Sequence, residues 1–345
     1  METLKEQTMY LIKIISSLKS ILFFVLFLTL SFQISYGNQG VKEPVDFSYN
    51  KKIYGTHQIE AIKNWGISSP TAGVVSGSVM QMHGVSVGAL DSGDKITGIR
   101  GISGLGQIFT LLQNKFFAPI FLGIIIVVIA AFFGHYKIIG SRKFNHHGKK
   151  FKVFSKYNIF VHWGAAIPFV IICVTGLMMV FGDKLGGGLL IRSAKNIHFI
   201  ATFVFIVFGI LMFLMWLKPS LFKLYDIGWF KIMGGYLSQA KNPVPAGKFN
   251  AGQKIWFWIA TLGGFIMAAT GLIMHYFYGD INFLRLTAII HNVLGFGVIA
   301  MLITHIYMSI FAIEGALDSI LDGNMSEEEL AIMHSFYYKE LIAKQ

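Results

Sequence analysis

Long apolar runs, broken by basic or short polar stretches, dominate this chain. Five runs approach the roughly 20 residues a helix needs to cross a bilayer: 116–134, 158–181, 197–217, 254–277 and 286–312. A shorter run, ILFFVLFLTLSF, follows Lys5, Lys13 and Lys19 and precedes Ser35, Tyr36 and Gly37. That order reads as a signal peptide over 1–37, or as an uncleaved signal anchor. Residues 38–115 are rich in Gly, Ser and Val, with mixed strand and loop signals and no catalytic grouping. They read as a small extracytoplasmic region, with His57 and His83 as surface histidines.

The polar stretches orient the spans. Residues 135–157 carry Lys137, Arg142, Lys143, Lys149, Lys150, Lys152 and Lys156 with no acid, and 218–253 carry five lysines against Asp226. The intervening stretches 182–196 and 278–285 are sparsely charged. Basic loops stay in the cytoplasm. So 135–157, 218–253 and the tail 314–345 are expected inside, and 38–115 outside. The expected architecture is an all-α membrane protein: a four-helix domain over 158–313, an extra transmembrane helix at 116–134, and the signal-like segment. In the tail, Ser326 before Glu327, Glu328 and Glu329 reads as a helix start.

Composition agrees: 54% hydrophobic and 13% charged, with a mean hydropathy of +0.61. The net charge of +12 is explained by the basic loops. No soluble basic patch interleaved with aromatics points to nucleic acid. The one cysteine, Cys173, excludes an internal disulfide and a cysteine-ligated iron–sulfur cluster. No C-x-x-C-H occurs, so any haem is held non-covalently.

Histidines inside the runs carry the chemistry. A titratable side chain in hydrocarbon is costly and marks function by default. His291 and His305 lie 14 positions apart on the last span. At about 100° and 1.5 Å per residue they share a face roughly 21 Å apart along the axis. With the orientation above, His162 shares the inner depth of His305, and His198 the outer depth of His291. Each pair joins two helices, as bis-imidazole ligation of a haem within a bundle requires. His275 lacks a depth-matched partner and reads as interfacial. His135, His146 and His147 belong to the hydrated basic loop. Gly164, Gly176, Gly209, Gly271, Gly295 and Gly297 either make room for a planar group or serve helix packing.

Asn250, Gly252 and Gln253 lie at the inner surface. They can hydrogen-bond a quinone carbonyl, or simply cap a helix. Residues 175–183 (TGLMMVFGD) echo 270–280 (TGLIMHYFYGD), each before a helix with an early histidine; they read as two related helix hairpins, or only as a shared preference for Thr-Gly in spans.

The set VHW (161–163), NIHF (196–199), KFNAGQKIWFW (248–258), IIHN (289–292) and THIYMS (304–309) resembles the gamma subunit of respiratory formate dehydrogenase, a di-haem cytochrome b membrane anchor. The resemblance covers about 155–345. It implies two non-covalent b haems, the inner one on His162 and His305 and the outer one on His198 and His291. It also implies a site for menaquinone or another quinone at Asn250, Gly252, Gln253 and His305. Implied partners are an iron–sulfur subunit and a molybdenum or tungsten catalytic subunit, at a bacterial inner membrane. The segment 1–134 and the acidic 327–329 depart from that pattern. Anchors of nickel–iron hydrogenases share the architecture. A transporter relaying protons through its histidines is the rival of another class.

Overall fold

A computed structural model of the chain describes residues 105–277 and 281–344. The signal-like segment 1–37 and most of the expected extracytoplasmic region lie outside the described residues.

Five helices are long and apolar enough to cross a membrane: Ile108–Ile138, Lys156–Val180, Gly188–Trp216, Ala251–Tyr276 and Asn282–Ala312. The chain is an all-α membrane protein. The first span is built from α1 (Leu105–Leu111), a π-helical turn (Leu112–Phe116) and α2 (Phe117–Ile138). It starts well before Phe116, where the apolar run begins. The polar residues Gln113, Asn114 and Lys115 fall within the π turn, which carries them inside a continuous helix instead of ending it.

Next come α3 (Lys156–Val180) and α4 (Gly188–Trp216). Ser155 starts α3 through a capping box: its Oγ accepts from Asn158 N–H at 3.2 Å, and its own N–H donates to Asn158 Oδ1 at 3.0 Å. The turn between them needs three consecutive glycines in the left-handed region, Gly186 to Gly188, a conformation that opposes side chains. A short α5 (Tyr225–Lys231) lies in the second basic stretch. The fourth span is α6 (Ala251–Trp258), a π turn (Ile259–Gly263) and α7 (Gly264–Tyr276); the fifth is α8 (Ile281–Tyr307) with a final π turn (Met308–Ala312).

All five spans share one core, with Phe121, Phe169, Phe205, Ala260 and Val298 each coming from a different span. Large apolar side chains such as Ile126, Val127, Phe133, Phe160 and Leu214 point outward and are exposed, as expected of a lipid-facing surface.

The three long polar stretches gather at one end as a cap. Strand β1 (Lys150–Lys152) pairs antiparallel with β2 (Asn324–Ser326), with Phe151 opposite Met325. Arg142 N–H donates to Ala312 O at 2.9 Å, and Val244 N–H to Ile332 O at 2.7 Å. The cap closes with α9 (Asp318–Leu321), α10 (Glu327–Met333) and α11 (Ser335–Ile342). Ser326 caps α10, its Oγ accepting from Glu329 N–H at 3.3 Å. Between the spans at the opposite end the connections are short: 181–187 joins α3 to α4, and few residues separate α7 from α8. His135 is not a loop residue: it ends α2 and bonds Tyr307 Oη at 2.6 Å and Tyr236 O at 2.8 Å. His146 meets Glu314 O at 3.0 Å.

Candidate functional site

Toward the short-loop end, the imidazoles of His198 on α4 and His291 on α8 face each other, ring centroids 6.4 Å apart. A metal–imidazole bond of about 2 Å on each side, with the ring radii added, gives roughly this separation. The spacing thus admits one metal ion between the rings.

Each imidazole is held in the same way. Thr175 Oγ1 lies 3.1 Å from His198 Nδ1, and Thr270 Oγ1 lies 2.9 Å from His291 Nδ1. A hydroxyl has one proton. Thr175 directs it to its own helix at Ile171 O, 2.7 Å away, and Thr270 to Ile266 O at 2.9 Å. Each Thr oxygen therefore accepts from the imidazole. The carbonyls of Ile172 and Met267 also accept hydrogen bonds from these rings. The proton is thereby placed on Nδ1, which leaves the Nε2 lone pair for a metal. The next residue in each case is a glycine. A Cβ on Gly176 would stand 3.5 Å from His198 Cε1, and one on Gly271 3.7 Å from His291 Cε1.

The echoed Thr-Gly pairs are therefore two copies of one imidazole holder, on α3 and α7. Sequence reasoning had the repeat but missed the threonines' role. Their spacing from the histidines, 23 and 21 residues, repeats across the two hairpins and was the available signal.

Both imidazoles line a large, mainly apolar chamber, whose wall also includes Phe121, Phe169, Cys173 and Phe205. Gly164 and Gly209 do not open it. A side chain at Gly164 would strike Phe208, and one at Gly209 would press on Phe265 at 3.1 Å. Gly295 accommodates Phe121 at 3.1 Å, while Gly297 faces open space. His275, expected at the interface, lines the chamber and stacks on Phe199 at 4.4 Å.

His162 on α3 and His305 on α8 lie toward the cap and are not part of the chamber wall. They are within electrostatic reach of one another. His305 stacks on Trp256 at 5.0 Å and 18°. His162 packs beside Trp216 at 6.0 Å, and its buried Nδ1 has no hydrogen-bond partner. A buried polar atom without a partner calls for an explanation, and an iron-ligating imidazole is one. Between the two levels the aromatic row Trp256, Phe169, Phe205 fills the bundle, with centroid steps of 5.6 and 5.3 Å.

The residues fit haem: two neutral, oriented imidazoles face each other across an apolar, roomy space, and a second pair sits at the other depth.

Asn250 and Gln253 begin α6 as a capping box. Asn250 Oδ1 accepts from Gln253 N–H, and Gln253 Oε1 from Asn250 N–H, both at 2.9 Å. Their oxygens are used; their amide N–H₂ groups remain as donors, that of Asn250 meeting Tyr236. Gly252 lies against Trp229, which a Cβ would meet at 3.1 Å. Behind them, Lys254 and Asp226 form a buried ion pair at 2.8 Å.

Comparison with known proteins bears on this arrangement. Residues 153–323 match the family described as prokaryotic cytochrome b561. Among curated proteins, the chain is similar to the Escherichia coli (strain K12) "Formate dehydrogenase, nitrate-inducible, cytochrome b556(Fdn) subunit": 27% identity over 191 residues, covering 52% of this chain and 86% of that protein. The Haemophilus influenzae "Formate dehydrogenase, cytochrome b556 subunit" is 29% identical over 190 residues, covering 52% and 78%. The Escherichia coli (strain K12) "Formate dehydrogenase, cytochrome b556(fdo) subunit" is 24% identical over 195 residues, covering 52% and 88%.

Proposed function

We propose, from the premise that through residues 153–323 this chain belongs to the prokaryotic cytochrome b561 family, that it is the electron-carrying membrane subunit of a respiratory formate dehydrogenase, ending at a quinone. The family implies b-type haem, and the similarity to formate dehydrogenase cytochrome b556 subunits supports formate as the donor. When bound, two haems supply reversible one-electron carriers at the two depths of the bundle.

The chain's own residues do the rest. His198 and His291 hold the outer iron, with Thr175 and Thr270 fixing their tautomers. His162 and His305 hold the inner one. The apolar core between the levels excludes water. At the cap, the amide donors of Asn250 and Gln253 receive a quinone carbonyl, and the protons that complete quinol formation enter from the cap side. The placement of arginine and lysine supports a cytoplasmic cap. The short-loop end then meets an iron–sulfur subunit outside the cytoplasm, and a molybdenum or tungsten subunit beyond it oxidises formate. The membrane is a bacterial inner membrane.

The observation that carries this reading is the facing pair His198 and His291, 6.4 Å apart, each backed by a threonine. The purified chain is expected to bind two b haems. His291→Ala should remove one and His162→Ala the other, each leaving its counterpart reducible in visible spectra. A chain with no haem in either variant's parent, or one in which both variants remove the same haem, refutes it.

A further inference from the structure

The chamber around His198 and His291 is polar at one end. Lys195, His275 and Gln113 line it there, and Lys195 and His275 interact electrostatically. Among the described residues that line the chamber there is no aspartate or glutamate.

The placement is regular. Lys195 precedes His198 by three residues on α4, and His275 follows Gly271 by four on α7, so each shares a helix face with the residue at the imidazole level. On both helices the step is about one turn, 5.4 Å, toward the short-loop end. Gln113 comes from the π turn of the N-terminal span. There α1 buries Phe109 against Ala288, three residues before His291, and Phe121 packs on Phe296 at 4.5 Å. A π turn inserts an extra residue and re-aims its side chains, and such turns recur at functional sites. The family match begins at residue 153, so this wall lies outside the matched region.

We infer that Lys195, His275 and Gln113 form the seat for the two carboxylates of a b-type haem held between His198 and His291, and that the N-terminal span completes this seat. The inference rests on the haem assignment proposed above. It follows from shape and charge: a b-type haem is an apolar disc with two carboxylates on one edge, and the chamber is apolar with cation-capable and amide donors on one side. Charge-assisted hydrogen bonds to carboxylate are the strong kind; the other polar lining residues, Thr202 and Asn292, are uncharged and donate to their own helices at His198 O and Ala288 O. The N-terminal span thus acts in cofactor binding as well as anchorage.

The full chain, stripped of haem in detergent, is titrated with haem and with its dimethyl ester, which lacks both negative charges. The site that is lost in His291→Ala should take the ester about tenfold less tightly or worse, and the other site should be the internal control. In haem-loaded protein, Lys195→Gln should lower the midpoint potential of that same haem by about a tenfold change in its redox equilibrium, about 59 mV for one electron. Lys195→Arg should restore it, and Gln113→Leu should weaken acid binding without changing ester binding. Equal affinity for acid and ester at the outer site, or an unmoved potential in Lys195→Gln, overturns the seat. A chain that takes up no His291-dependent haem removes the underlying haem assignment instead.

Discussion

Thr175 and Thr270 show how much a single hydroxyl decides. Threonine in a membrane helix ordinarily bonds back to its own helix, and both do. Because the hydroxyl proton is so used, the oxygen becomes an acceptor aimed at a histidine on the neighbouring helix, 3.1 and 2.9 Å away. Removal of an outer-shell partner of a ligating imidazole typically weakens metal binding 10–100-fold. Thr270→Val is therefore expected to lower haem affinity at the outer site by at least about tenfold, with Thr270→Ser near the parent, as read from haem per chain in a titration. The histidines were legible in the sequence because an imidazole in hydrocarbon is costly. The threonines were not, since their second partner is distant in sequence. Asn250 presents the converse case, one residue with two duties. Serine caps a helix about as well as asparagine but lacks the amide donors. Asn250→Ser should keep α6 and both haems intact and slow quinol formation, checked by quinone reduction in membranes. An unchanged rate would leave Asn250 with its cap alone.

Among the elements, the cap is where packing overrode sequence expectation. Residues 135–157 and 314–345 read as loop and tail, yet β1 and β2 pair across them, and α10 buries Leu330 and Met333 completely or nearly so. This packing also buries Glu329 at the first turn of α10, and burial, reinforced by Asp318, pushes its carboxyl from 4.5 up to about 8. The sign follows. In the unfolded tail the group loses its proton near 4.5, whereas in the folded cap it keeps it to about 8. Between these values the folded state binds the extra proton, so cap stability declines as pH rises through that window, by on the order of a few kcal/mol at most. Glu329→Gln should flatten the decline and leave the cap more stable at pH 8 than the parent. Hydrogen-exchange protection of 327–342 across pH 5 to 8, normalised to intrinsic rates, measures it. An identical slope in the two proteins would mean that Glu329 is ionised in the folded cap. Neighbouring Glu328 is the contrast: half-buried and paired with Lys241 at 2.6 Å, its carboxyl is held below the usual range.

For the whole molecule, five spans and a cap at one end commit the two basic stretches and the C-terminal tail to one side of the membrane. Asn145 is exposed in the cap, and Cys173, the chain's one cysteine, is buried. Asn145→Cys is expected to react with a membrane-impermeant maleimide in inside-out vesicles and to be protected in intact spheroplasts. The opposite pattern would place the cap outside and reverse the direction proposed for the electrons.

The sequence by itself determined the spans, their alternation, and the four histidines that divide between two depths. These depend on local properties, since hydrocarbon demands about 20 apolar residues per span and penalises each imbedded imidazole. The tertiary structure decided what surrounds those histidines. Which threonine meets Nδ1, which glycines face a ring and which receive a phenylalanine, and whether the first span joins the chamber all depend on how helices rotate against one another. That rotation is set by contacts among residues far apart in the chain, such as Phe121 on Gly295, and a membrane helix that is apolar all round carries little local signal of the face it will bury.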